Sequence, residues 1–153
     1  MKSKLIATIL LLMVPFTIYA TGTVTESYYV TGTTEKINLM VQWYFFGDNP
    51  ADTATSSALE SILKQGWYLF MVTTVPSGPT DDYDVYITDA DGLDITGGRL
   101  ANRDTANAEA VVPLVDSTNS ISGTRYVNTA LTVSVSNQSN SAGSGYIKLY
   151  FAK

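Results

Sequence analysis

Ile37-Asn38-Leu39-Met40-Val41-Gln42-Trp43-Tyr44-Phe45-Phe46 sets Ile37, Leu39, Val41, Trp43 and Phe45 at every second position. Side chains two apart on an extended chain point the same way, so these residues share one face of a β-strand. The opposite face is not plainly polar, because Met40, Tyr44 and Phe46 stand beside Asn38 and Gln42. A strand with one face fully apolar and the other partly so predicts a sheet that covers a core on one side.

The same alternation recurs along the chain. Tyr83, Val85 and Ile87 share a face; Leu131, Val133 and Val135 alternate with Thr132, Ser134 and Ser136; Ile147, Leu149 and Phe151 alternate with Tyr146, Lys148 and Tyr150. Gly66 to Val75 is apolar on both faces, its even positions carrying Tyr68, Phe70 and Val72, and reads as a central strand or one covered by a neighbouring chain. Thr23 to Val30 and Ala108 to Val115 are weaker strands, the second interrupted by Pro113 and so at an edge or bulged. Turn formers separate the runs, among them Gly47-Asp48-Asn49-Pro50, Asp91-Gly92, Gly97-Gly98 and Ser122-Gly123. Only Thr53 to Gln65 offers a short helix, with Leu59, Ile62 and Leu63 at helical spacing and Gly66 as its stop. The fold class that follows is all-β: an antiparallel β-sandwich, jelly-roll-like or Ig-like, of about seven or eight strands and at most one short helix.

Residues 1–20 read differently. Lys2 and Lys4 precede the apolar run Leu5 to Phe16, and Ala20 ends the segment, the layout of a signal peptide or of a hydrophobic N-terminal arm. The run falls short of the ~20 apolar residues that span a bilayer, and Pro15 breaks it. Residues 21–153 then form a single domain, exported or carried on a particle, and no membrane contact is expected of it.

The chain holds 153 residues with no His and no Cys. That excludes Ser-His-Asp triads, Cys-His pairs, His/Cys zinc sites and disulfides. Without Lys2 and Lys4, seven basic residues face 14 acidic ones, a net charge of −7 that repels phosphate backbones, so nucleic acid is not an expected partner. Ser61-Ile62-Leu63-Lys64 matches an S-x-x-K string, yet the S-D-N and K-T-G elements of that chemistry are missing. A carboxylate pair for glycoside hydrolysis would ask for a long cleft that a small sandwich has little room to build.

Carboxylates gather between Asp81 and Asp94, with Asp89, Asp91 and Asp94 the candidate ligands for a Ca²⁺ ion. An EF-hand register fails there, since Gly92 as its glycine puts the first ligand on Ile87 and the twelfth on Gly98. The competing expectation is a solvated hairpin tip at Asp91-Gly92, with no cofactor.

Ten Tyr and two Trp in so small a chain are the stronger signal. Trp43, Tyr44, Phe46, Tyr68 and Phe70 are expected at an interface, because they exceed what one sandwich core requires. Gly97 to Asn107, a long polar loop, adds Arg99, Asn102 and Arg103 to that surface, with Asn102 suited to a positive φ and Arg103 placed to pair with Asp104.

Pro79 to Val85, Thr88 to Asp94, Ala101-Asn102-Arg103-Asp104-Thr105-Ala106-Asn107, Leu131 to Asn137 and Gly145 to Tyr150 together resemble small structural proteins of tailed phages. The resemblance covers roughly residues 66 to 152. It implies a virion-associated β-domain, such as a capsid decoration or head-tail accessory protein. The expected function is therefore non-enzymatic: a structural protein that associates with itself or coats a larger assembly through protein contacts. The alternative is a secreted carbohydrate-binding or surface module, for which Tyr and Trp platforms are equally suited.

Overall fold

A computed structural model describes residues 23–32, 37–46, 53–55, 57–79, 83–116, 118–137 and 143–153. The signal peptide or arm at residues 1–20 lies outside them. In chain order the strands are β1 Thr23–Gly32, β2 Ile37–Phe46, β3 Thr53–Thr55, β4 Trp67–Ser77, β5 Asp84–Thr88 and β6 Glu109–Val111. There follow β7 Leu114–Asp116, β8 Ile121–Ser122, β9 Arg125–Val127, β10 Thr132–Ser136 and β11 Ser144–Ala152, with one helix, α1 Ser57–Leu63, before β4.

All the pairings are antiparallel. Sheet A runs β1-β2-β11-β4-β6, with β9 also on β4; sheet B runs β3-β10-β5; β7 and β8 make a separate ribbon. The alternating residues of β2 and β11 meet those of β5 and β10 in one core: Leu39, Val41, Trp43, Phe45, Ile147, Leu149 and Phe151 against Val85, Ile87, Val133 and Val135. The chain is thus an all-β sandwich, and each such aliphatic side chain stabilises it by about 1.5–3 kcal/mol relative to exposure.

β4 is paired along both edges, with β11 on one and β6 and β9 on the other, but its faces change over partway along. Tyr150 of β11 pairs with Met71, while the next residue, Phe151, pairs with Leu69. Phe70 is therefore an extra residue, a β-bulge. Before it the odd positions Trp67 and Leu69 are buried; after it the even positions Val72 and Thr74 are. Tyr68, Phe70 and Val72 do not form one face: Tyr68 is exposed and Val72 is core. A period of two cannot register an inserted residue.

Other differences have local causes. The helical spacing at Thr53 to Gln65 yields helix only at α1, because Thr53–Thr55 pairs with β10 instead. Gly66, at φ +80°, stops α1 by donating its N–H to Leu63, and the Trp67 indole covers the Ile62 carbonyl at 2.7 Å. Pro113 divides the weak strand into β6 and β7. The short β8 and β9 carry too few residues for alternation to be visible.

Gly145 sits where β11 passes over Phe45. A Cβ there would stand 2.7 Å from both Phe45 Cζ and the Val75 carbonyl oxygen, neither of which is free to retreat. Gly145→Ala is expected to destabilise the fold by about 1–3 kcal/mol through overpacking, read as a lower urea midpoint with an unchanged slope.

Candidate functional site

The outer face of sheet A, turned away from the core, is where the aromatic residues collect. Register places Tyr29, Met40, Tyr150 and Met71 side by side across β1, β2, β11 and β4. Four positions along the same strands, Thr25, Tyr44, Tyr146 and Val75 form a second row. Between them lies a polar row of Ser27, Gln42, Lys148 and Thr73. At about 3.3 Å per residue the two aromatic rows stand about 13 Å apart.

Ring pairs order this face. Tyr44 and Tyr146 lie 5.0 Å apart by centroid, Phe70 and Tyr150 6.3 Å, and Tyr68 and Tyr126 of β9 5.3 Å. All are tilted, the arrangement ring quadrupoles favour. Lys148 Nζ stands 5.9 Å from the Tyr146 centroid, which holds its charge over a ring. Tyr29, Tyr68 and Tyr126 are at least half exposed and Tyr146 is 37% exposed, so the rings are accessible. Tyr126 lies over Gly66, where any Cβ would strike the tyrosine hydroxyl. Beside the first row a cavity of about 260 Å³ opens among Tyr29, Asn38, Met40, Phe70 and Tyr150.

Of the residues expected at an interface, Tyr44, Tyr68 and Phe70 are on this face. Trp43 is not: it is 1% exposed in the core, with Nε1 donating to Glu26 Oε2 at 2.7 Å, because it belongs to the inward set of β2. The side chain of Phe46 lies outside the described residues. Tyr146, Tyr150 and Tyr126 join the face through sheet register, which no single strand reveals.

Arg99, Asn102 and Arg103 do not share it. The Arg99 guanidinium donates to Ser122 Oγ at 3.2 Å. Asn102 takes φ +50° and its N–H donates to the buried Asp84 carboxylate at 2.7 Å; Asn137, at φ +63°, reaches the same carboxylate. Arg103 pairs with Glu109 at 3.4 Å rather than with the adjacent Asp104, and its N–H donates to the Tyr83 carbonyl. The loop is thereby fastened to the sandwich by Asp84 and by main-chain bonds, a role for Asp84 that strand alternation alone assigns to solvent.

The carboxylates at Asp89, Asp91 and Asp94 do not converge on a metal. Asp89 Oδ1 accepts the N–H groups of Asp91 and Leu93, and Asp94 accepts those of Thr96 and Gly98 as well as the Thr96 hydroxyl. The lone pairs of Asp89 and Asp94 are directed into the hairpin, Asp91 contributes only its N–H, and no cluster of three acidic residues able to hold a metal ion occurs among the described residues. Asp104 and Asp116 repeat this logic in matching D-x-x-N turns. Each carboxylate accepts the amide Nδ2 of its Asn, Asn107 or Asn119, and two backbone N–H groups.

No protein-family model and no curated protein matches the chain. Among solved structures, a low-affinity xylan-binding module from the gut symbiont Roseburia intestinalis is similar to it at 9% identity. The match covers 85% of this chain and 93% of that one, with a TM-score of 0.35.

The Asn107 side chain, followed by the N–H groups of Ala106 and Asn107, holds the Asp104 carboxyl below its ordinary 3.8. A depressed carboxyl favours the folded turn above the unfolded pKa and loses that contribution as pH falls through the folded one. Asn107→Ala is expected to raise the Asp104 pKa toward 3.8, followed by carboxyl NMR titration, while Asp116 keeps its own depressed value.

Proposed function

We propose that this chain is a non-enzymatic β-sandwich module that binds a neutral carbohydrate chain across the outer face of sheet A. The observation that carries this is the polar row of Ser27, Gln42, Lys148 and Thr73 between two aromatic rows. A pyranose ring presents C–H groups on its faces and hydroxyls around its edge. Tyr44, Tyr146 and Tyr150 offer rings for the former, and the amides and hydroxyls of Asn38, Gln42 and Thr73 offer donors and acceptors for the latter. Lys148 is the one charged side chain in the three rows, which suits a neutral ligand better than an acidic or phosphorylated one. The cavity beside Tyr150 and Phe70 gives one ring of the ligand a partly enclosed seat.

A second reading keeps the non-enzymatic character and puts a protein surface on this face, as in the phage-type assembly that the sequence resemblance implies. It is favoured by the continuous apolar row of Tyr29, Met40, Tyr150 and Met71.

Affinity electrophoresis in gels containing neutral polysaccharides, xylans and glucans among them, is expected to retard the protein. Tyr150→Ala should weaken retardation about tenfold, equivalent to ~1.4 kcal/mol. Tyr86→Ala, on the outer face of sheet B and 45% exposed, should change nothing. Migration indifferent to every glycan, or equal loss in both variants, would overturn the assignment and favour a protein ligand.

A further inference from the structure

β1 is an outermost strand. Among the described residues it pairs along one side only, with β2. Edge strands are ordinarily blunted by lysine, proline, a bulge or short length, since an open row of N–H and C=O groups invites another strand. β1 uses none of these devices; the one other brake it carries is an inward-pointing charge, Glu26, opposite Trp43. Its ten residues, Thr-Val-Thr-Glu-Ser-Tyr-Tyr-Val-Thr-Gly, hold an unbroken register with β2 and contain no proline and no basic residue. Glu26, its one charged side chain, is held from the core side by the Trp43 indole. Three successive large residues on this edge, Tyr28, Tyr29 and Val30, are 46%, 53% and 54% exposed. Tyr28 and Val30 face the same way as their core partners Val41 and Leu39, yet sheet B does not cover them.

We propose that β1 pairs antiparallel with β1 of a second copy of this chain, fusing two sheets A into one across a two-fold axis. The strand's fit to itself selects that occupant. An isologous pairing requires residues of like face to stand opposite one another. Centring it on Ser27 sets Val24 against the partner's Val30, Glu26 against the partner's Tyr28, and Thr25 against the partner's Tyr29. Val30 gains an apolar neighbour, and the carboxylate meets a phenol rather than a second carboxylate. Moving the centre to Tyr28 would set Glu26 against the partner's Val30 and Val24 against the partner's Gly32, which loses both matches. The Ser27-centred register also aligns the row Tyr29, Met40, Tyr150 with the partner's Thr25, Tyr44 and Tyr146, so the aromatic face runs on across both copies.

The natural chain has no cysteine, so Ser27→Cys supplies its sole thiol. Directly opposed Cα atoms of an antiparallel pair lie about 4.5–5.5 Å apart, within disulfide reach. Light scattering of the unaltered protein is expected to give twice the chain mass, and mild oxidation should convert Ser27→Cys to a covalent dimer. Thr31→Cys, opposed to the partner's Thr23, should remain unlinked. Val30→Lys should return the protein to single-chain mass with its far-ultraviolet circular dichroism unchanged. A single-chain mass at every concentration, cross-linking of Thr31→Cys as readily as Ser27→Cys, or a dimer indifferent to Val30→Lys would each overturn the proposal.

Discussion

β11 holds the architecture together because both of its edges are used. It pairs with β2 along nine residues and with β4 along the same nine, so the two longest inner strands meet only through it. Its inward residues Ile147, Leu149 and Phe151 fill the middle of the core, and its outward residues Tyr146, Lys148 and Tyr150 are the centre of the aromatic face. Stability and the aromatic face therefore hang on one segment, Ser144–Ala152. Its pairing with β4 and β2 is far from local, and a fold built on contacts of that kind is slow to form.

With no disulfides to staple it, the sandwich fastens its connections with carboxylates. Asp84 gathers Asn102 and Asn137 from two separate loops; Asp89 and Asp94 close the hairpin around Gly92; Asp104 and Asp116 each close a D-x-x-N turn. Among the described residues, Asp84, Asp89, Asp94, Asp104, Glu109 and Asp116 each satisfy backbone N–H groups that strands leave unpaired. At Asp89 and Asp94 the carboxylate oxygens that a cation would need are already turned into the main chain.

Alternation made the core legible, and Leu39, Val41, Trp43, Phe45, Val85, Ile87, Val133, Val135, Ile147, Leu149 and Phe151 all lie where a period of two puts them. Trp43 shows the cost of reading residue type over position, since its parity assigned it inward although tryptophan is a common interface residue. The aromatic face was half visible. Tyr44, Tyr68 and Phe70 stand on strands whose outward positions are evident, but their companions are set by register between strands distant in sequence, which no local pattern encodes. Asp84 escaped for a related reason: its burial comes from Asn102 and Asn137, carried in by other segments. The hairpin at Asp91-Gly92, by contrast, was fully local and is closed as turn chemistry requires, with the Asp89 N–H donating to the Leu93 carbonyl.

The extra residue at Phe70 puts the two halves of β4 out of phase with each other. A chain lacking Phe70 would run on in plain alternation, with Trp67, Leu69 and Val72 inward and Tyr68 and Met71 outward, so the core keeps its side chains with or without the bulge. What the extra residue adds is a ring: Phe70 stands 6.3 Å from Tyr150 on the outer face and lines the cavity there.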